Sequence, residues 1–201
     1  MATSLSAVRY TLSVTVRLFI GVEVDDNVKA RAAAIGAELR EKLGRRLTAR
    51  WIAPENLHIT LWFIGEVRDD DRAAAIIDAI RMPFPLPPFD LELRGAGGFP
   101  PHGAPRVLWI GVARGQDSML GVCNELAVRL QPLGIEPERR AYSAHLTIAR
   151  VKECRSRHVR DILEGFEADA GSCRIDAVTV FRSRLSPKGA AYEPLLRVPL
   201  Q

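Results

Sequence analysis

The sequence predicts an α+β fold that is bilobal, with two pseudo-symmetric, mainly antiparallel sheets flanked by helices and a cleft between the sheets. Strand and helix patterns alternate along the 201 residues. Several connections are too short for the helical crossover that parallel strands need, and the last two strand patterns form a hairpin. The order of strands and helices in the first half recurs in the second, which indicates a duplicated layout.

The first half opens with a strand rich in β-branched and aromatic residues and contains two helices around a second strand. Asp25 and Asp26 are suited to cap the alanine-rich first helix, which stops near Gly44, and the acidic run 69–71 begins the second helix. The predicted elements are a strand at 16–24, a helix at 26–44, a strand at 57–64 closed by Gly65, and a helix at 69–80.

A proline-rich link joins the halves and is followed by a short strand at 90–94 and the loop GAGGFPPHGAP. Ser186 to Gly189 form the turn of the final hairpin. Residues 1–15 fit no element, so we expect a disordered leader before a single bilobal domain at 16–201. The second half contains strands at 106–112, 143–151, 173–185 and 191–200, and helices at 118–133 and 159–166.

The composition allows a sizeable core and excludes little. Hydrophobic residues make up 47% of the chain, and the formal net charge is +4 with an isoelectric point near 9.2. That charge suits a polyanionic partner but also describes many proteins that bind none. The three cysteines form no C-x-x-C pair, and the N-terminal stretch lacks the apolar core of a signal peptide or membrane span. We therefore expect a cytoplasmic protein with free thiols, and we also expect a monomer.

One H-x-T-x pattern occurs twice, each time inside an apolar frame typical of a strand. The copies are HITL at 58–61 and HLTI at 145–148. With four histidines in 201 residues and few threonines, chance gives an H-x-T triplet about 0.14 times per chain. Because side chains alternate along a strand, the histidine and threonine of each copy share one face, and the two aliphatic residues anchor the other.

Two imidazoles and two hydroxyls that meet in a cleft suit the hydrolysis of a phosphodiester. With a reference pKa of about 6.5, histidine supplies both a neutral base for water and a protonated acid for the leaving oxygen. His58 and His145 are the candidate catalytic pair, and Thr60 and Thr147 are the candidate phosphate ligands. The residues themselves leave open which histidine is the acid.

Arg150 is a further candidate for binding the phosphate, because a guanidinium makes charge-assisted hydrogen bonds. Strict alternation from His145 puts Arg150 on the opposite face, so it reaches the site only if the strand ends or bulges there. His102, in a Gly/Pro loop, and His158, at an arginine-rich helix start, lack the strand frame and are interpreted as surface residues.

The aromatic candidates for stacking on a base are Phe19, Phe63, Phe99 and Trp109. Each stands in an apolar frame that favours core packing, so the sequence does not select one of them.

The sequence has no motif for a metal ion or a dinucleotide cofactor. No H-x-H, H-E-x-x-H or Cys/His cluster is present, and no G-x-G-x-x-G follows a strand. We therefore expect neither a metal ion nor a cofactor.

These features resemble the 2H phosphoesterase superfamily, and within it the RNA 2′,3′-cyclic phosphodiesterases historically named 2′-5′ RNA ligases. The resemblance covers the chain from Val16 onward, and no motif position departs from the family pattern. It rests on the segments RLFIGVEV, RWIAPENLHITLWFIGEV, GGFPPHGAPRVLWIGV, SAHLTIARV and FRSRLSPKGAAYEPL.

The resemblance implies hydrolysis, without a metal ion, of an RNA 2′,3′-cyclic phosphate end to a 2′-phosphomonoester. It makes His58 the proton donor to the departing 3′ oxygen and His145 the proton acceptor that activates water, with Thr60 and Thr147 binding the phosphate. The implied partner is RNA or an oligonucleotide with such an end. Related members also join a cyclic phosphate to a 5′ hydroxyl in a reversible 2′-5′ linkage.

Several alternatives stay open at this point. A 2H enzyme acting on 2′-5′ oligonucleotides or on an ADP-ribose cyclic phosphate uses the same tetrads, and a substrate panel separates it. A non-catalytic RNA-binding module needs basic residues but not both histidines, so binding that survives their replacement, without turnover in the parent, favours it. A metal hydrolase is disfavoured because His58 and His145 alone are too few ligands.

Overall fold

The computed structural model describes residues 16–137, 140–186 and 189–201. Strands and helices follow one another much as predicted, and the α+β fold class is confirmed. The strands are β1 Val16–Glu23, β2 Leu47–Trp51, β3 His58–Val67, β4 Phe89–Phe99, β5 Val107–Arg114, β6 His145–Cys154, β7 Asp169–Ile175, β8 Ala177–Ser186 and β9 Gly189–Pro199. The α-helices are α1 Asp26–Leu43, α2 Asp70–Ile80, α3 Gln116–Leu130 and α4 Val159–Glu164.

The described strands form one curled sheet in which neighbouring strands pair antiparallel. Their order is β7-β4-β5-β6-β3-β1-β8-β9, and β2 pairs with β6 beside this path. At the centre, β3 and β6 share a single residue pair, Ile59 with Leu146. The sheet therefore consists of two halves, β7-β4-β5-β6 and β3-β1-β8-β9, joined at that pair.

The helices cover one face of the sheet and bury its apolar side chains. Helices α1 and α3 each follow a strand of one half of the sheet but pack on the other half. Helix α1 follows β1 and contacts β7, whereas α3 follows β5 and contacts β3. Leu39 of α1 and Leu126 of α3 are fully buried in one continuous core. This exchange ties the two halves together beyond their single shared strand pair.

Both predicted acidic helix caps are confirmed. The Asp25 carboxylate accepts a hydrogen bond from the N–H of Val28 at 2.8 Å, at the start of α1. The Asp69 carboxylate accepts one from the N–H of Asp71 at 2.9 Å, at the start of α2. Each bond satisfies an amide that the first helical turn leaves unpaired. The first helix also ends as predicted, at Gly44, where φ is 49°.

The glycine-rich segment that the sequence predicts as a loop is a strand instead. Residues 95–99 continue β4 and pair with β5. The reason lies in Trp109 of β5: a Cβ built on Gly97 would lie 2.2 Å from the indole ring. The glycine therefore marks a close approach of a side chain to the neighbouring strand and not a turn.

Two other strand predictions are corrected, and one strand was not predicted. β3 does not end at Gly65 but continues to Val67, and Gly65 takes a φ of 86° within it. The pattern at 173–185 is two strands, because the chain breaks at Asp176 and β7 and β8 then enter opposite halves of the sheet. Sequence analysis does not predict β2, whose segment LTARW is short, only partly apolar, and defined by its pairing with β6.

The C-terminal hairpin is confirmed by the antiparallel pairing of β8 with β9, whose register shifts once, between Val180 and Phe181. The predicted leader at 1–15 and the turn residues Pro187 and Lys188 lie outside the described residues. Within the described part of the chain, no helix has both the length and the apolar character needed to cross a membrane. The free cysteines are Cys123, Cys154 and Cys173.

Replacing Gly97 with alanine is expected to destabilise the fold, because the new methyl group overlaps the Trp109 ring. We expect the free energy of unfolding to fall by about 1–3 kcal/mol, as for other overpacked sites. Urea unfolding measures the change. Gly36→Ala in α1 is the control: its Cβ would lie 3.5 Å from Trp51, an ordinary contact, and alanine adds about 0.5–1 kcal/mol of helix stability. Equal stability of Gly97→Ala and the parent would contradict this packing.

Candidate active site

The two tetrads meet at the centre of the sheet, around the residue pair that joins β3 to β6. Ile59 and Leu146, the members of that pair, have no solvent exposure. The histidine and threonine of each tetrad are half-buried and face the side of the sheet away from the helices. The structure thus brings the four predicted polar groups together on one face.

Antiparallel pairing decides which of the four side chains are neighbours. When the register of the single pair Ile59–Leu146 is extended by one residue in each direction, His58 lies across from Thr147 and Thr60 lies across from His145. In an antiparallel ladder, directly opposed Cβ atoms lie about 5 Å apart and diagonal neighbours about 7–8 Å apart. The two imidazoles therefore occupy one diagonal of a small rectangle, and the two hydroxyls occupy the other.

The strand β6 bulges immediately after its tetrad. Its register against β5 shifts between Thr147 and Ala149, so Ile148 and Ala149 are both buried and alternation resumes with Arg150 exposed. Strict alternation, which puts Arg150 on the face opposite His145, is wrong here because of this extra residue. The bulge is the condition under which Arg150 was expected to reach the site, and its guanidinium joins the face that carries the tetrads.

The strand β3 bulges at the equivalent place. Its register against β1 shifts between Thr60 and Trp62, so Leu61 and Trp62 are both buried. Phe63 then emerges on the tetrad face with 56% of its surface exposed. Core packing, the favoured interpretation of Phe63, is corrected: it holds in the first half the place that Arg150 holds in the second.

A backbone carbonyl two residues earlier orients each tetrad histidine. Nδ1 of His58 lies 2.8 Å from the carbonyl oxygen of Asn56, and Nδ1 of His145 lies 2.7 Å from that of Ser143. A carbonyl only accepts, so Nδ1 carries a proton in both rings, and Nε2 is the nitrogen left for proton transfer. The Asn56 side chain in turn donates to the carbonyl of Ala190 at 3.2 Å, which anchors this turn to the C-terminal hairpin.

Aromatic rings enclose His58 more completely than His145. The ring centroids of Phe19 and Tyr192 lie 4.7 and 4.8 Å from that of His58. In the described residues, the ring contact of His145 is Phe99, edge-to-face at 4.9 Å. His58 therefore occupies the drier environment of the two.

Burial and positive charge keep both imidazoles neutral. The pKa of His58 is lowered to about 4, mainly by desolvation and to a smaller extent by the charges of Arg150 and His145, against the hydrogen bond to Asn56, which raises it. Desolvation, and then the charge of Arg150, also lower the pKa of His145, against its hydrogen bond to Ser143. Both shifts favour the uncharged imidazole in the free protein. A bound anion would raise both pKa values because it favours the charged form.

The duplicated arrangement of the chain matches a known family twice. A family model described as LigT-like phosphoesterase matches residues 22–109 and, a second time, residues 110–192. This chain belongs to the LigT-like phosphoesterase family. Each match contains one tetrad, in agreement with the repeated layout that the sequence predicts.

Similar proteins support the assignment of this chain to the LigT-like phosphoesterases. An RNA 2′,3′-cyclic phosphodiesterase of Archaeoglobus fulgidus is 34% identical over 180 residues, which cover 89% of this chain and 97% of the relative. Another of that name, from Thermotoga maritima, is 32% identical over 181 residues, covering 89% and 92%. The solved structure of TT0787 from Thermus thermophilus superposes with a TM-score of 0.73 at 26% identity, covering 92% of this chain and 97% of that one. The resemblance to the 2H phosphoesterases is confirmed, and the chain is an enzyme of that class.

Sequence reasoning missed the aromatic residues that the C-terminal hairpin contributes. Phe181 of β8 stacks on Phe19 with ring centroids 4.9 Å apart, and Tyr192 of β9 meets the same ring edge-on at 5.0 Å. These residues lie far from His58 along the chain and come beside it through the strand order β3-β1-β8-β9. No local pattern marks them, because strand order is a tertiary property.

The remaining histidines, His102 and His158, are exposed surface residues, as the sequence predicts. His158 precedes α4 and pairs with Asp161 at 3.1 Å, and His102 is exposed in the loop after β4. Within the described ranges, no group of three or more His, Cys, Asp or Glu side chains is arranged to hold a metal ion.

The lowered pKa of His58 predicts that this phosphoesterase loses stability as the pH falls below about 6.5. Between there and about pH 4, the unfolded chain binds a proton on this imidazole and the folded protein does not, so the free energy of unfolding decreases. His58→Gln retains an amide donor for the Asn56 carbonyl but cannot titrate, and is expected to reduce that decrease. Urea unfolding across this pH window measures both proteins, and identical pH dependences would contradict the prediction.

Proposed function

We propose that this phosphoesterase hydrolyses the 2′,3′-cyclic phosphate at an RNA end to a 2′-phosphomonoester, with His58 and His145 as its proton-transfer pair. The observation that carries the proposal is the diagonal of two imidazoles across two hydroxyls, with the Arg150 guanidinium beside them. The relatives named RNA 2′,3′-cyclic phosphodiesterase support the substrate class.

Thr60, Thr147 and Arg150 are the proposed phosphate ligands. The two hydroxyls donate to non-bridging oxygens from opposite corners of the rectangle, and the guanidinium adds charge-assisted hydrogen bonds. These bonds strengthen as negative charge accumulates on the phosphoryl oxygens in the transition state. A phosphorus atom held in this way lies between the two Nε2 atoms.

The two histidines then act on opposite sides of the phosphorus. Nε2 of His145 takes a proton from water as the water oxygen attacks, and the bond between phosphorus and the 3′ oxygen breaks. Nε2 of His58 gives its proton to that oxygen, which leaves a 3′ hydroxyl and a 2′-phosphate. One proton is taken up and one is released, so the pair ends with its proton on the other ring.

The electrostatics of the free site support these roles. Both imidazoles are neutral without substrate, and the negative charge of a bound cyclic phosphate favours the one proton that the pair requires. His58 donates a proton only when it holds one, and the charge of the bound phosphate favours that form against the desolvation that lowers the pKa of His58 to about 4. His145, with fewer aromatic neighbours, suits the base.

The proposed scheme has no step that requires a metal ion or cofactor, so we propose metal-independent catalysis. The same residues support reversible 2′-5′ ligation when the 5′ hydroxyl of a second RNA replaces water. His145 then removes the hydroxyl proton while His58 protonates the 3′ oxygen. A cytoplasmic location and a monomeric state stay predictions from the sequence.

The direct test uses an RNA that ends in a 2′,3′-cyclic phosphate, incubated with the protein in EDTA. The parent is expected to form the 2′-phosphate, resolved from the 3′-phosphate by chromatography. His58→Ala and His145→Ala are each expected to lower kcat roughly a thousandfold, the contribution of one acid or base. His158→Ala is the matched control, because that histidine lies outside the tetrads and should leave turnover unchanged.

Other results of this experiment have distinct meanings. No turnover of RNA by the parent, with turnover of 2′-5′ oligonucleotides or an ADP-ribose cyclic phosphate, would replace the substrate and keep the chemistry. RNA binding that survives both histidine variants, with no turnover of any substrate, would indicate a binding module. Formation of the 3′-phosphate would reverse the proposed direction of ring opening.

Arg150 is expected to set the pH dependence of the reaction as well as its rate. Its charge lowers the pKa of both histidines, so Arg150→Met should raise them, and the alkaline fall of kcat/KM should begin at higher pH. Loss of a phosphate ligand should also lower kcat/KM roughly a hundredfold. Arg150→Lys keeps the charge and should keep the position of the profile. An equal displacement in both variants would contradict the electrostatic explanation.

A further inference from the structure

A groove of about 760 Å³ lies beside the proposed site, between the loop that follows β4 and the end of β6. Its volume is in the range of ligand-binding clefts. The tetrad residues and Arg150 do not line it, so it is separate from the phosphate site. We name it the basic groove because of its arginine and lysine side chains. Its lining includes Phe99, His102, Arg106, Arg140, Lys152 and Glu153.

The basic groove carries positive charge that no carboxylate of the described residues neutralises. Arg106, Arg140 and Lys152 are exposed and form no ion pair with any residue that the structure describes. The acidic member of the lining, Glu153, is already held by Arg155, whose Nε lies 2.9 Å from the carboxylate. Three such cations in one groove attract a polyanion.

The basic groove is continuous with the proposed site. Phe99, one of its lining residues, contacts His145 edge-to-face at 4.9 Å. Val151 directly follows Arg150 in β6 and lines the groove, and its N–H donates to the carbonyl of Arg106 at 2.8 Å. The groove wall therefore begins at the residue that follows Arg150 in β6.

One wall of the basic groove is braced from behind. Arg160 of α4 donates to the carbonyl of Gly103 at 2.8 Å and to that of Gly98 at 3.4 Å, and also to the carbonyl of Pro100. One guanidinium thus ties together three carbonyls at the end of β4 and in the loop after it. A wall held in this way loses little conformational freedom when a ligand binds.

We propose that the basic groove binds the sugar-phosphate backbone of the RNA chain on the 5′ side of the cyclic phosphate. The proposal rests on the proposed function, which places the terminal nucleotide between the tetrads. The chain leaves the site past His145, and its preceding phosphates contact Arg106, Arg140 and Lys152. Such contacts raise the affinity for RNA over a single cyclic nucleotide without a preference for sequence, because phosphates carry no base information.

Charge reversal in the basic groove tests the proposal with two substrates. Arg106→Glu and Lys152→Glu are compared with the parent on an oligoribonucleotide that ends in a 2′,3′-cyclic phosphate and on a nucleoside 2′,3′-cyclic monophosphate. For the oligomer we expect kcat/KM to fall roughly tenfold through KM, with a less steep dependence on salt. For the mononucleotide we expect kcat/KM to stay unchanged.

Arg40→Glu is the matched control, since it makes the same change of charge on α1, behind the sheet. Arg40 is exposed and outside the groove. An equal loss in this control, or equal losses on both substrates in the groove variants, would overturn the proposal. Unchanged turnover of the oligomer in both groove variants would also overturn it.

A second readout separates the groove from the proposed activity. A parent protein that turns over neither substrate overturns the proposed function, and the groove is then tested by the fluorescence anisotropy of a labelled RNA that ends in a 3′-phosphate. Binding that weakens in Arg106→Glu and Lys152→Glu but not in Arg40→Glu supports the groove. Equal binding by all three variants and the parent overturns it.

Discussion

The pairing of Ile59 with Leu146 is the contact on which the site depends. These two buried residues set the register of β3 against β6, and a slip of one residue would turn either histidine from the open face into the core. One residue pair alone is a weak connection between the two halves of the sheet. The crossed helices α1 and α3 strengthen it, because each follows a strand of one half of the sheet and packs on the other.

Burial lowers the pKa values of the two tetrad histidines. Aromatic rings from β1 and β9 surround His58, and the desolvation that they impose, together with the charge of Arg150, holds the imidazoles neutral. An anion that enters the rectangle reverses part of that effect, since it stabilises the protonated ring. Binding of any anion at this site is therefore coupled to proton uptake by the imidazoles.

The two halves share a backbone plan but differ in the side chains that they present. Both tetrad strands bulge one residue after the threonine, and each bulge turns the following residues onto the open face. In one half this exposes the ring of Phe63, and in the other it exposes the guanidinium of Arg150. The positions of the two tetrad histidines are thus nearly symmetric, whereas their surroundings are not.

The sequence by itself determined the fold class, the capped helices, the family and the four polar residues of the tetrads, because capping and alternation depend on neighbours along the chain. It left the face of Arg150 conditional, since a bulge is defined only against a partner strand. It also misassigned Gly97, which is explained by Trp109 on the next strand. Only the tertiary structure decided the aromatic neighbours of His58, the lowered pKa values and the basic groove. Each of these depends on residues distant in sequence, and desolvation arises only when such residues exclude water together.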